Sequence, residues 1–236
     1  MRRTALLALA ACAACTGTGK SMSMSESGHV RRAPNMAAFL ILANGHGRGL
    51  TQWASLNFSS SLLDSYAEWA VFEPARGDLL ADGPVYRKLL RRIERAAARR
   101  DAIDLFIFAH DNDFVGLLDD LAPAVSAKLR LVYNSGCDDI RQYDRWLAHG
   151  VHAYVGHPDD SCSQMFVYHF QTRWWSGMPL LQAVGEANGA TRDMLLDPSD
   201  PFGMACRGRD SGATVFARTA ASIAGDGSIR IDTPVR

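Results

Sequence analysis

The chain has no net charge: 25 Lys and Arg stand against 25 Asp and Glu in 236 residues. That balance gives no global argument for nucleic acid or an anionic membrane surface as a partner. Beyond the N-terminus, no stretch is long and apolar enough to span a bilayer. There is no internal repeat. The one glycine-rich loop, Asn44-Gly45-His46-Gly47-Arg48-Gly49, matches neither the dinucleotide fingerprint nor the P-loop spacing, and no Lys-Ser/Thr pair ends it. What is there is an ordinary globular composition, 47% hydrophobic, able to build a sizeable core in one large domain or two small ones.

The N-terminus reads as an address. Met1-Arg2-Arg3 is a positive start, Thr4 to Ala11 is a short apolar run, and Leu9-Ala10-Ala11-Cys12 follows. The pattern resembles a bacterial lipoprotein signal, which implies residues 1–12 as signal, Cys12 as the lipidated residue and a membrane anchored through lipid. Ala13 after that cysteine implies the outer membrane, facing the periplasm. Residues 13–35 are rich in Ser, Gly, Thr and Met and read as a flexible tether. The folded part is expected over 36–236. Of five cysteines, Cys137, Cys162 and Cys206 fall in that part. An oxidising envelope favours pairing, and three cysteines allow one bridge. A Cys162–Cys206 bridge leaves Cys137 as a thiol; a bridge that uses Cys137 removes it as a nucleophile.

The stretch from Asp104 to Asp139 organises the rest. Leu105 to Phe108 is an apolar run that ends at His110, and Leu129 to Tyr133 is another that ends, after Ser-Gly, at Cys137. Such runs, bounded by polar turns, read as buried strands. A helical segment between them implies a crossover and two parallel strands. Both then end at the carboxyl edge of the sheet, where open α/β sheets place their ligands. A His and a Cys at one edge are the parts of an activated thiolate nucleophile.

Around this centre, Ala38 to Ala43 and Glu68 to Phe72 read as strands, with helix and loop over 51–65. Gly83-Pro84 opens a helix to about Arg100, with Val85, Leu89, Ile93 and Ala97 on one face. Its other faces carry Arg87, Lys88, Arg91, Arg92, Arg95, Arg99 and Arg100, which read as a solvated surface. Ile140, Tyr143 and Leu147 mark a helix, Val151 to Val155 a strand, Ser161 to Trp175 a helix, and Pro179 opens the last strong helix. His169, on a mostly apolar face, reads as core packing. Residues 197–212 read as loop, and Thr214 to Ala217 and Ser228 to Ile231 as short strands. The sum is an α/β fold with a mostly parallel sheet of five or so strands.

The order of elements resembles the caspase-like cysteine peptidase clan, including metacaspases, gingipain and bacterial CHAT domains. WLAHGVHAYVG followed by FVYHFQTRWWSGMPLLQAVGEAN is the most informative part. The resemblance spans roughly residues 38–195 and implies a three-layer αβα sandwich with an irregular C-terminal extension. It places the catalytic His at His110 and the nucleophile at Cys137, with backbone N–H groups of Gly136 and Asp111 for the oxyanion. Asp111 stands where the clan has Gly, Gly136 stands where it has Ala or Ser, and 27 residues separate His110 from Cys137, a short spacing for the clan. Arg48, Asp138 and Asp139 are the substrate-binding candidates. The implied function is a cell-envelope cysteine endopeptidase acting on a peptide or protein, without cofactor and without nucleic acid. A catalytically inactive binding or scaffold module of the same fold is the alternative.

Two further patterns compete. Met204-Ala205-Cys206-Arg207-Gly208 contains an ACRG reminiscent of a caspase nucleophile motif, but no apolar strand precedes it. His157-Pro158-Asp159-Asp160 resembles the zinc motif of PIG-L/LmbE-type deacetylases, which implies His157, Asp159 and Asp160 as metal residues of a zinc-dependent hydrolase. A wider pool of His46, His110, Asp111, Asp113, His157 and Asp160 at one sheet edge is a variant of that reading.

Overall fold

In the computed structural model the described residues are 33–43, 65–73, 83–109, 112–159 and 161–235. Six strands form one sheet: β1 (Ala33–Ala43), β2 (Tyr66–Phe72), β3 (Ala102–Ala109), β4 (Leu129–Asn134), β5 (Ala153–Gly156) and β6 (Ser222–Gly225), in the spatial order β2-β1-β3-β4-β5-β6. All neighbours are parallel except β6, which runs antiparallel to β5. The strand order reverses between β1 and β3, so the switch point of the sheet lies at their carboxyl ends.

The inner strands are buried on both faces, and alternation deals their side chains to two cores. Met36, Ala38, Leu40, Phe106, Phe108, Leu131, Tyr133 and Val155 pack on one face against α4 (Ser163–Trp175) and α5 (Leu180–Leu196). Ala37, Phe39, Ile41, Leu105, Ile107, Val132 and Tyr154 pack on the other against α1 (Pro84–Ala97) and Trp146 of α3 (Tyr143–Ala148). The result is a three-layer αβα sandwich around a mostly parallel sheet. Trp146 and Trp174 are wholly buried, one in each core; burying a large apolar side chain is worth on the order of 1.5–3 kcal/mol.

Pro84 occupies the first turn of α1, where its missing N–H costs nothing. The buried face of α1 is Tyr86, Leu89, Ile93 and Ala96. Between β3 and β4 the chain makes a 3-10 turn (Phe114–Asp120) and the short α2 (Pro123–Ser126) rather than one long helix. Among the described residues no helix is long and apolar enough to cross a membrane.

Three local expectations are corrected. β1 begins at Ala33, inside the expected tether: Asn35 accepts from the Asp101 N–H through its carbonyl and donates from Nδ2 to Asp101 Oδ2, both at 2.9 Å. The C-terminal segment is ordered rather than irregular. Residues 201–207 form α6 (Pro201–Arg207), with Asp200 accepting from the Gly203 N–H, and Thr214 to Ala217 lie in α7 (Gly212–Thr219), with Ser211 accepting from the Thr214 N–H. Ser228 to Ile231 is no strand; the last strand is β6.

Candidate active site

Residue Cys137 stands three positions beyond Asn134, the last residue of β4, at the carboxyl edge of the sheet. It is half-buried and outside any disulfide. Cys162 and Cys206 are bonded to each other, joining the start of α4 to α6 and leaving the ACRG cysteine committed to structure. His110 directly follows β3 in the sequence. It lies outside the described residues, as do Asp111, Arg48, Cys12, Asp160, the glycine-rich loop and, except for Ser65, the helix and loop expected over 51–65.

The loop that carries Cys137 is held by a buried polar network. Asn134 is fully buried, so its amide has to find partners inside the protein. Its Oδ1 accepts from the Gly136 N–H (3.2 Å) and from Asn112 Nδ2 (3.0 Å), and its Nδ2 donates to Asn112 Oδ1 (3.2 Å). Asn112 Nδ2 also donates to Asp139 Oδ2 (2.9 Å). Gln142 Nε2 donates to Asp139 Oδ1 (2.9 Å) and to the Asn112 carbonyl (2.7 Å), and the Tyr154 hydroxyl donates to the Asp139 carbonyl (2.6 Å). The network joins the loop after β3, two residues from His110, to the loop after β4, two residues on either side of which Cys137 is bracketed by Ser135 and Asp139.

Two backbone features follow from it. A Cβ on Gly136 would lie 1.7 Å from Asp139 Oδ2 and 2.9 Å from Asn112 Nδ2, so the Ala or Ser of the clan does not fit this loop. Asp138, directly after Cys137, has φ of 60°, the one positive φ at a non-glycine among the described residues. That conformation costs on the order of 1 kcal/mol and persists because its surroundings fix it.

Three expected roles change. The Gly136 N–H, expected at an oxyanion, is donated to Asn134. Asp139, expected to bind substrate, is buried and spends both carboxylate oxygens inside the protein. Asp138 remains at the surface, paired with Arg141 at 2.8 Å, as Asp113 is with Arg145 at 2.7 Å. Among the described residues, Asp138 and Asp113 of the acidic rim therefore carry their own counter-charges. Sequence reasoning missed Asn112, Asn134 and Gln142. The only signal was an asparagine at the carboxyl end of a strand whose preceding residues, Leu131 to Tyr133, are apolar.

His157 follows β5 and is wholly buried. Its Nδ1 lies 2.5 Å from the Thr219 carbonyl, which can only accept, so Nδ1 carries the proton and Nε2 accepts from the Tyr133 hydroxyl at 3.0 Å. Neither nitrogen is left for a metal, and among the described residues no group of three His, Cys, Asp or Glu is placed to hold one. With both ring nitrogens bonded inside the protein, His157 is not placed as the metal ligand that the His157-Asp159-Asp160 alternative requires. His169 is half-buried beside Tyr168, their rings 5.2 Å apart.

Burial pushes the pKa of His157 down to about 4, against a small upward pull from Thr219. The unfolded chain therefore takes up this proton near pH 6.5, well before the folded protein does. Stability that is complete above pH 6.5 is lost as pH falls towards 4, by about 3 kcal/mol from this residue. Urea unfolding at pH 7.5, 5.5 and 4 should show that loss, and His157→Gln should flatten it. An unchanged slope in the variant assigns the loss to other groups.

No family model matches the chain, and no curated protein does. Two solved structures resemble its fold. In the crystal structure of the Saccharomyces cerevisiae separase–securin complex, identity is 12% with a TM-score of 0.44, over 84% of this chain and 12% of that one. In the crystal structure of drICE, identity is 14% with a TM-score of 0.45, over 84% of this chain and 90% of that one. This chain thus spans a small part of the first structure's length and nearly all of the second's.

Proposed function

We propose that the chain is a lipid-anchored cysteine peptidase of the bacterial cell envelope, caspase-like in architecture, with Cys137 as nucleophile and His110 as its acid–base partner. The observation that carries the reading is the Asn112–Asn134–Asp139 network. It ties the loop that follows β3 to the loop that bears Cys137, at the carboxyl edge of the sheet, with Cys137 left out of the Cys162–Cys206 bridge. A disulfide in the folded part accords with an oxidising compartment. The N-terminal Leu9-Ala10-Ala11-Cys12 supports the anchor, and with Ala13 the outer membrane facing the periplasm.

In this reading His110 raises the thiolate fraction of Cys137, whose ordinary pKa is near 8.5. The sulfur attacks the scissile carbonyl carbon, the C–N bond breaks, and His110 returns the proton to the leaving amine. Water then cleaves the thioester and restores the thiol. Because Gly136 N–H serves Asn134, the oxyanion has to be held by other donors of the two loops. The substrate is a peptide or protein.

The test is alkylation by iodoacetamide across pH, mapped by mass spectrometry, in the full chain and in His110→Ala. Fast labelling of Cys137 below pH 7 that disappears without His110 supports the dyad. Ordinary thiol reactivity in both proteins sinks it and leaves the inactive module of the same fold.

A further inference from the structure

The opposite, amino-terminal edge of the sheet holds a second charged cluster that the proposed chemistry does not use. Glu68, near the start of β2, has a side chain only 6% exposed. Three guanidiniums converge on it: Arg92 Nε on Oε1 at 3.1 Å, Arg99 Nη2 on both oxygens at 3.2 Å, and Arg100 Nε on Oε2 at 3.3 Å. Arg92 belongs to α1, and Arg99 and Arg100 follow its last turn. With Ala67 and Trp69 they line a depression of about 410 Å³ open to solvent. Trp69 is itself 37% exposed.

A buried carboxylate needs one guanidinium, and a well-made pair shows N–O distances of roughly 2.7–2.9 Å. Here three cations share one anion at longer range, and the cluster keeps two positive charges in excess. The C-terminal end of α1 contributes only about half a negative charge. Among the described residues no other carboxylate pairs with Arg92, Arg99 or Arg100, and the terminal nitrogens of Arg92 and Arg100 meet no acceptor. Like charges held this close repel. A solvated basic face does not explain the convergence: Lys88, Arg91 and Arg95 on the same helix stand exposed without gathering on a carboxylate among the described residues. An oxyanion lying over the guanidinium forks meets both needs, since it supplies charge and several acceptors at once.

We propose that this depression is a binding subsite for a phosphoryl oxyanion, carried on a small soluble molecule or on a phospholipid headgroup, with Arg92, Arg99 and Arg100 as its donors and Trp69 at its border. The site is independent of Cys137. The full chain carrying Cys12→Ser, so that no lipid is attached, is titrated with inorganic pyrophosphate by calorimetry at low ionic strength, where screening is weak. It is also floated with phosphatidylcholine vesicles with and without phosphatidylglycerol. Pyrophosphate should bind one to one. Arg99→Gln with Arg100→Gln should weaken it about tenfold or more, the scale of one or two charge-assisted hydrogen bonds, while Lys88→Gln leaves it unchanged. Should the double variant fail to fold, Arg99→Gln alone serves, its side chain being 56% exposed. Flotation that needs phosphatidylglycerol, is lost in the arginine variants and is competed by pyrophosphate assigns the headgroup as source. Pyrophosphate binding without flotation assigns a soluble ligand. Neither binding, or an equal loss in Lys88→Gln, overturns the site in favour of diffuse charge.

Discussion

Replacing Arg130 with methionine is expected to cost the fold about 3–5 kcal/mol, the usual result of orphaning one member of a buried ion pair. Arg130 is 1% exposed and Asp104 is fully buried. Arg130 Nε donates to Asp104 Oδ1 at 2.9 Å and Nη2 to Oδ2 at 2.5 Å. The guanidinium lies 5.6 Å from the Trp174 ring centroid, and Nη1 donates to the carbonyls of Arg230, Ile231 and Thr233 at 2.7–2.9 Å. Tyr66 donates its hydroxyl to Asp104 at 2.6 Å and accepts from Trp174 Nε1 at 3.1 Å. One side chain thus neutralises a buried carboxylate and ties down the C-terminal segment. A globular domain has a total stability of about 5–15 kcal/mol, so the loss should be plain in urea unfolding. Asp104→Leu added to Arg130→Met should recover part of it, because no charge is then left unpaired. The recovery should be incomplete, since the three carbonyls still lack their donor. A loss below about 1 kcal/mol in the single variant would mean that water reaches Asp104.

That network shows what the sequence could and could not reveal. Asp104 and Arg130 each interrupt an otherwise mostly apolar strand, where an isolated charge gives no hint of its partner. Parallel pairing of β3 and β4 brings them together, and pairing is a tertiary fact. Strands β1 to β5 were legible, because burial in the sheet leaves largely apolar runs with turn residues at their ends, whereas β6 was not. Helices α1, α4 and α5 were legible too. The C-terminal elements were not. Thr214-Val215-Phe216-Ala217 has the composition of a strand, yet Ser211 caps the helix and Val215 and Thr219 share its buried side, so context overrides propensity. Asp200-Pro201 has the pattern of a cap followed by a first-turn proline, but it stands among further Pro and Gly residues whose composition is that of a loop. Ile229 and Ile231 alternate and are buried like strand residues, but the carbonyl of Ile229 accepts from Leu180 at the start of α5 rather than from a ladder. At the site, Cys137 was legible as a strand-end residue. Asn112, Asn134 and Gln142 were not, because polar turn residues acquire meaning only when the loops they belong to are brought side by side.

Gly136→Ala is expected to lower the alkylation rate of Cys137 at neutral pH by about tenfold, within the roughly 30-fold limit set by an ordinary thiol of pKa near 8.5, which is about 3% ionised at pH 7. The added methyl would sit 1.7 Å from Asp139 Oδ2 and 2.6 Å from its Cγ. Asp139 cannot swing aside without breaking its bonds from Asn112 and Gln142. Nor can its backbone shift without losing the Tyr154 hydroxyl. Strain therefore passes to the softer part of the loop, Cys137 and the left-handed Asp138. Overpacking of this kind typically costs about 1–3 kcal/mol, so the fold should survive, with far-UV dichroism unchanged and Cys162 still bonded to Cys206. Asn112→Ala approaches the same loop from the β3 side. It leaves Asn134 Oδ1 and Asp139 Oδ2 each short of a donor and should slow labelling in the same direction. If Gly136→Ala folds and Cys137 labels at the wild-type rate, the network shapes the loop without governing the thiol. The proposed dyad would then have to stand on His110 alone.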